Sequence, residues 1–303
     1  MTELTTTALP TTGARRTGTP AGSTDRAGRH RLQGQRNYLG GALGVVWLAV
    51  IILPIYYTVI TTFKDQGSYF TSNPLAPPAP PTVSAYGQVL AAGIGRYFAN
   101  SVIVTVGAVI PIVVFSFMAA YAIVRGNSAF LRLCNGVFLL GLAIPLQATI
   151  IPIYLIITRL HMYDSLAALI LPSIAFGIPL TVLILGNFLR DVPNELFESM
   201  RLDGCTNWQI AWRLAFPLTR PAIVTVSIYN GLNVWNGFLF PLILTQSPNL
   251  RTMPLALWAF QGEYSVNIPA VLAAVVLSTL PILVLYVVGR RQLLSGLTAG
   301  FGK

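Results

Sequence analysis

The ionisable residues with the most telling spacing stand between positions 190 and 204. The stretch reads Arg190-Asp191-Val192-Pro193-Asn194-Glu195-Leu196-Phe197-Glu198-Ser199-Met200-Arg201-Leu202-Asp203-Gly204 and holds four of the nine carboxylates of the chain. Charges beside apolar anchors at this spacing suit docking into a groove of another protein. Asp191 can cap a helix, Pro193 suits its first turn, and the helix dipole favours Glu195 there. Leu196, Phe197 and Met200 fall on one face at helical spacing. Gly204 suits the left-handed position that ends a helix. Trp208, Ile210, Ala211, Trp212 and Leu214 then predict a second short helix, stopped before Pro217. The resulting helix–turn–helix exposes Leu196, Phe197 and Met200 beside its charges. It has three possible seats: its own protein, a lipid surface, or a groove in a partner. Interfacial helices favour Lys and Arg on the polar face, so this acidic one fits a lipid surface poorly.

A second polar set lies in apolar surroundings. Asn230, Asn233 and Asn236 recur every three residues and share one broad face, Trp235 is nearby, and Gln147 lies in another apolar block. Uncharged amides and an aromatic ring suit sugar hydroxyls along a translocation path; equally, they can bond between helices. Neither metal-ligand spacing nor a histidine-based catalytic constellation is formed. Cys134 and Cys205 read as reduced, structural thiols. Gly302-Lys303 lacks the first Gly and the Ser/Thr of a phosphate loop, so the chain is expected to hold no nucleotide, cofactor or metal and to be no enzyme.

The elements that position these groups span a membrane. The 303-residue chain is 54% hydrophobic and 9% charged, against about 25% charged in a soluble domain. Its apolar residues come in six blocks, 39–63, 98–124, 133–158, 166–189, 219–245 and 270–289. Each can cross about 30 Å of hydrocarbon. The expected fold is all-α, with six transmembrane helices, a two-helix loop at 190–218 and both termini cytoplasmic. Residues 1–37, basic and poor in large apolar side chains, read as a disordered tail; 38–303 form the membrane domain. Prolines 54, 111, 145, 152, 172, 179 and 241 fall within blocks, where kinks are expected. With both termini inside, fifteen Lys/Arg lie on the cytoplasmic side and four outside. The net charge of +10 is therefore a topology signal for a multi-pass plasma-membrane protein against anionic lipid, not a sign of nucleic acid.

Glu198-Ser199-Met200-Arg201-Leu202-Asp203-Gly204, nine residues, then Leu214-Ala215-Phe216-Pro217 resembles the EAA loop of ATP-binding-cassette importer permeases. That pattern is Glu-Ala-Ala, three residues, Gly, nine residues, Ile-x-Leu-Pro; Ser199 and Met200 replace the alanines, and Leu214 and Phe216 replace Ile and Leu. The resemblance runs over about 40–303. It includes Asn100-Ser101, Ala119-Ala120-Tyr121-Ala122, Ile151-Pro152-Ile153-Tyr154, Val234-Trp235-Asn236-Gly237-Phe238 and Gly296-Leu297-Thr298-Ala299-Gly300. Gly237 stands where the family commonly has Glu. The tail is similar to that of the smaller permease subunit of maltose-type importers.

The resemblance implies a permease subunit of a binding-protein-dependent sugar importer that forms half of the pore. Its implied partners are a second permease subunit, two copies of a cytoplasmic ATPase that hold ATP and Mg, and an extracytoplasmic solute-binding protein. It implies ATPase coupling through Glu198, Asp203 and Gly204; on their own chemistry and place in the loop, Glu195, Phe197, Met200, Arg201 and Pro217 are expected to join them. It also implies that a loop with Gln261, Gly262, Glu263 and Tyr264 faces the binding protein. The rival is an ion-coupled secondary transporter for a small polar solute. Proton coupling usually needs Asp, Glu or His within a span; His161 and Asp164 lie in a loop instead.

Overall fold

The computed structural model describes residues 38–257 and 266–299. The expected tail 1–37, the loop residues Gln261, Gly262, Glu263 and Tyr264, and the last four residues lie outside them. The chain divides into two compact units at Ala49/Val50. In the first, Tyr38–Ala49 is helical and exposed. The rest of the description concerns the second.

The described residues form helices and no strand. Helix α1 (Tyr38–Thr61) is followed by the short α2 (Gln66–Tyr69) and α3 (Ser84–Ala91). Next come α4 (Ile94–Arg125), α5 (Ala129–Leu142), α6 (Ile150–Arg159) and α7 (Leu166–Arg190). The two-helix unit is α8 (Asn194–Leu202) and α9 (Asn207–Ile210), continued by a π-helical turn at Ala211–Ala215 and by α10 (Phe216–Leu218). The chain closes with α11 (Arg220–Trp235), α12 (Leu239–Leu244), α13 (Met253–Ala256) and α14 (Ile268–Ala299).

Among the described residues three helices, α1, α4 and α7, are long and apolar enough to cross a bilayer. The block expected as one span at 133–158 is bent instead: α5 and α6 meet at 100° and together make a fourth candidate. Pro145 explains the break. It sits extended at φ −70°, ψ 129°, and cannot donate to the preceding turn. The block at 219–245 is also interrupted, by Asn236–Phe238 between α11 and α12. By contrast, Pro54, Pro111, Pro172 and Pro179 lie inside continuous helices.

The centre of the bundle is α4 against α7. Val104, Ala108, Ile112, Ser116 and Ala120 recur every four residues as the buried stripe of α4. Opposite lie Leu169, Val182, Leu185 and Leu189 of α7. Small residues let such helices approach in lipid. At Gly177 a Cβ would lie 2.5 Å from Ile112 Cδ1 and 2.8 Å from Asn230 Oδ1, so α4, α7 and α11 meet there only because the side chain is missing. Outward residues such as Ile103, Val106, Ile110 and Phe115 are exposed and apolar, as a lipid-facing surface requires.

Candidate functional site

At the end of the bundle where α4 and α7 terminate, α8 lies with one face inward. Pro193, not Asp191, precedes its first residue, and Asp191 instead ends α7. Phe197 is 3% exposed and belongs to one core with Phe117, Leu185, Leu189 and Ile210. Met200 packs against the same core. The expected exposure of Phe197 and Met200 is therefore corrected: the apolar stripe of α8 covers its own bundle, because that is the nearest surface able to dehydrate it. Glu195, Glu198, Arg201, Asp203 and Gly204 are exposed, and the outward apolar groups are Leu202, at 89%, and Leu196.

Gly204 has φ +80°, the left-handed conformation its position predicts. The amides of Gly204 and Cys205 bond the carbonyls of Arg201 and Met200, each at 3.0 Å, and so close α8. Thr206 then starts α9 with a capping box shared with Gln209. Pro217 does not stop this helix. The π-helical turn just before it widens the ladder, with the Phe216 amide reaching back to Ala211, and the backbone runs on toward α11. A proline clashes with the carbonyl four residues earlier, and a widened turn relieves that.

Within the bundle a cavity of about 340 Å³ lies between α4, α7, α11 and α12. Its lining includes Ser101, Ser173, Phe176, Gly177, Tyr229, Asn230, Asn233, Gly237, Phe240 and Thr252, and no charged side chain. The size is that of a small-molecule site. Of the five expected path residues, Asn230 and Asn233 line it. Asn230 is 3% exposed, and its amide nitrogen donates to Thr181 Oγ1 at 2.9 Å and to the Val226 carbonyl at 2.8 Å. Asn233 is exposed and donates only to Tyr229 of its own helix, at 2.8 Å.

Trp235, Asn236 and Gln147 are not among the lining residues. Trp235 turns toward α14, donating to the Ser278 carbonyl at 3.3 Å and meeting Phe98 edge-on. Asn236 ends α11, and Gln147 is exposed on the turn after Pro145. Four polar lining residues are not among the expected path residues: Ser101, Ser173, Tyr229 and Thr252. They come from separate elements, and only Tyr229 sits next to a recognised residue. Thr252 is buried with its hydroxyl unpartnered.

At the far end of α7, Asp164 pins the turn before the helix to the segment after α12. Its carboxylate accepts from the amides of Gln246, at 2.8 Å, and Ser247, at 2.9 Å, and from the Ser247 hydroxyl. The hydroxyl of Ser247, then the two amides, hold its pKa below the usual carboxylate value. A depressed pKa means the latch is fully present above the unfolded value, about 3.9, and is lost as pH falls through the lower folded value. Hydrogen-exchange protection of Gln246 and Ser247 is thus expected to hold from pH 7 to pH 5 and fall only below about pH 4. Asp164→Asn, which keeps the left-handed backbone at φ 58° but lacks the charge, weakens that protection at neutral pH.

A bundle of apolar helices that encloses an uncharged cavity and carries a two-helix unit at one end is the build of a transport permease. Residues 101–293 match the family described as "Binding-protein-dependent transport system inner membrane component", and the chain belongs to it. A putative ABC transporter permease protein of Caldicellulosiruptor sp. is 38% identical over 84% of this chain and 93% of its own length. The diacetylchitobiose uptake system permease protein NgcG of Streptomyces coelicolor is 31% identical over 86% of each chain. A crystal structure of a bacterial ABC transporter involved in import of the acidic polysaccharide alginate has a chain of the same fold. Its TM-score is 0.75 at 20% identity, covering 84% of this chain and 95% of that one. The protein is accordingly a membrane subunit of a binding-protein-dependent ABC transport system.

Proposed function

We propose that this permease imports an uncharged sugar or oligosaccharide, driven by ATP hydrolysed on a partner. Relatives carry diacetylchitobiose and starch degradation products by name, which supports the saccharide class. The cavity lining supports an uncharged one. Amides, hydroxyls and aromatic faces match sugar rings, whereas a bare carboxylate moved out of water without a cation is costly. In this reading Asn233, Tyr229 and Thr252 touch solute, and Asn230 shapes the wall.

The observation that carries the coupling half is the outward face of α8. Its apolar side is spent on its own bundle, and Glu195, Glu198, Arg201 and Asp203 remain free beside exposed Leu202. That face docks a cytoplasmic ATPase, two copies of which serve this chain and a second permease subunit. ATP and Mg bind there. Phe197, Met200 and Pro217 act from inside, by fixing the angle of the unit. Six spans, with α11–α12 and α14 as the last two, put both termini in the cytoplasm, in line with the Lys/Arg distribution. The loop with Gln261, Gly262, Glu263 and Tyr264 meets the solute-binding protein.

The test is reconstitution of this chain with its second permease, ATPase and binding protein in vesicles. ATP hydrolysis stimulated by saccharide-loaded binding protein, with uptake of the saccharide, is the expected result. Uptake driven by an ion gradient through this chain alone would establish the secondary-transport rival instead.

A further inference from the structure

The proposed coupling unit must pass its movement to a helix that lines the cavity, and the last turns of α4 are built for it. Arg125 is the final residue of α4. One of its terminal nitrogens donates to Asn194 Oδ1 at 2.5 Å, and the other to the carbonyls of Leu189 and Val192 at 3.1 and 3.2 Å. Its guanidinium carbon stands 3.3 Å from the centroid of the Phe197 ring. One planar group thus holds the end of α7, the link that follows, and the first turn of α8. All these partners are neutral, so the contact is a fork and a stack rather than an ion pair. Carbonyls at a helix end lack partners within the helix and favour a cation. A cation over an aromatic face adds more when water is excluded.

Two further residues of α4 lie on the same side, at steps of four. The hydroxyl of Tyr121 donates to the Asn207 carbonyl, at 3.2 Å, where α9 begins. Phe117 meets Trp212 and Phe216, with ring centroids 5.7 and 5.5 Å away. From this grip α4 continues as an unbroken helix for roughly 30 Å, at 1.5 Å per residue, to Val104 and Ser101 on the cavity wall.

We propose that Arg125 is the positioning residue of coupling: it clasps α8 to α4, so that displacement of α8 moves the cavity wall instead of slipping past it. The inference rests on the reading of α8 as the ATPase contact. Phe197 is buried, in this view, because it is the ring the clasp closes on. Lysine cannot replace the fork, since its ammonium is a point charge on a flexible stem.

The test uses the complete reconstituted importer and measures complex yield, stimulated ATP hydrolysis and solute moved per ATP. Arg125→Met is expected to assemble and hydrolyse ATP while solute moved per ATP falls at least about tenfold, all three guanidinium bonds and the ring stack being lost. Arg125→Lys recovers part of that loss, and Asn194→Ala lowers the ratio about threefold, having lost one contact of the fork. An unchanged ratio in Arg125→Met overturns the proposal. So does a parallel fall of yield, hydrolysis and uptake at constant ratio, which would make Arg125 a fold-holding residue only. If Arg125→Met does not assemble, the other two decide, and a wild-type ratio in both overturns the clasp. Failure of the reading of α8 looks different: Glu198→Arg, on the outward face of α8, would then leave capture of the ATPase at the wild-type level.

Discussion

Gly204→Trp is expected to cut uptake by more than about a hundredfold while the protein stays in the membrane at its normal level, the loss of a central anchor at a docking surface being of that order. Two facts set the effect. The φ of +80° costs an ordinary L-residue about 1–2 kcal/mol, so any substitution strains the turn that ends α8. Yet a Cβ there meets nothing within 4 Å, so an indole does not collide with its own chain. It projects from the exposed surface beside Asp203, where the ATPase contact is proposed. Strain and bulk are separable. Gly204→Asn, which tolerates the left-handed region, should transport at close to the normal rate. Gly204→Ala should lose up to about thirtyfold through strain alone, 1.4 kcal/mol being a factor of ten. Uptake assays with immunoblots of the membrane fraction check the series. Normal uptake by the Trp variant removes the turn from the coupling surface.

How much of this was legible in the sequence depends on the range over which each feature is decided. Local features read well. The left-handed Gly204 and the two-helix unit around it follow from residues a few positions apart, and α4 and α7 match their apolar blocks within a few residues. Features decided by a neighbour elsewhere in the chain read poorly. The apolar stripe of α8 was visible, but which surface it meets was not; Phe197 faces inward because Arg125, 72 positions earlier, and the end of α7 are waiting for it. Proline raised the same difficulty. Pro111 and Pro145 look alike in sequence, yet one sits inside a continuous helix and the other turns the chain by 100°. The asparagines divide in a third way. A repeat of three places them on one broad face, but steps of 100° spread that face until its edges point to different neighbours. Asn233 meets the cavity, Asn230 reaches both cavity wall and α7, and Trp235 has already rotated toward α14.

That division gives Asn230 and Asn233 opposite phenotypes. Asn230→Asp is expected to destabilise the protein by about 3–5 kcal/mol, the scale of an uncompensated buried charge. The native amide donates to two oxygens, Thr181 Oγ1 and the Val226 carbonyl, at 2.9 and 2.8 Å. A carboxylate has no hydrogen for either. The Thr181 hydroxyl could turn toward it only by giving up its own 2.7 Å bond to the Gly177 carbonyl. On the α7 side the group cannot move away either, because a Cβ at Gly177 would lie only 2.8 Å from Asn230 Oδ1. Against a total stability of about 5–15 kcal/mol, such a loss shows as reduced folded yield and a lower unfolding temperature in detergent. Asn233→Ala removes a bond within one helix from an exposed site, so yield should stay near normal while more solute-loaded binding protein is needed for half-maximal uptake. Normal yield for Asn230→Asp with altered uptake would move Asn230 from the wall to the solute path. Unaltered uptake by Asn233→Ala would remove Asn233 from the solute contacts and leave Tyr229 and Thr252 to make them.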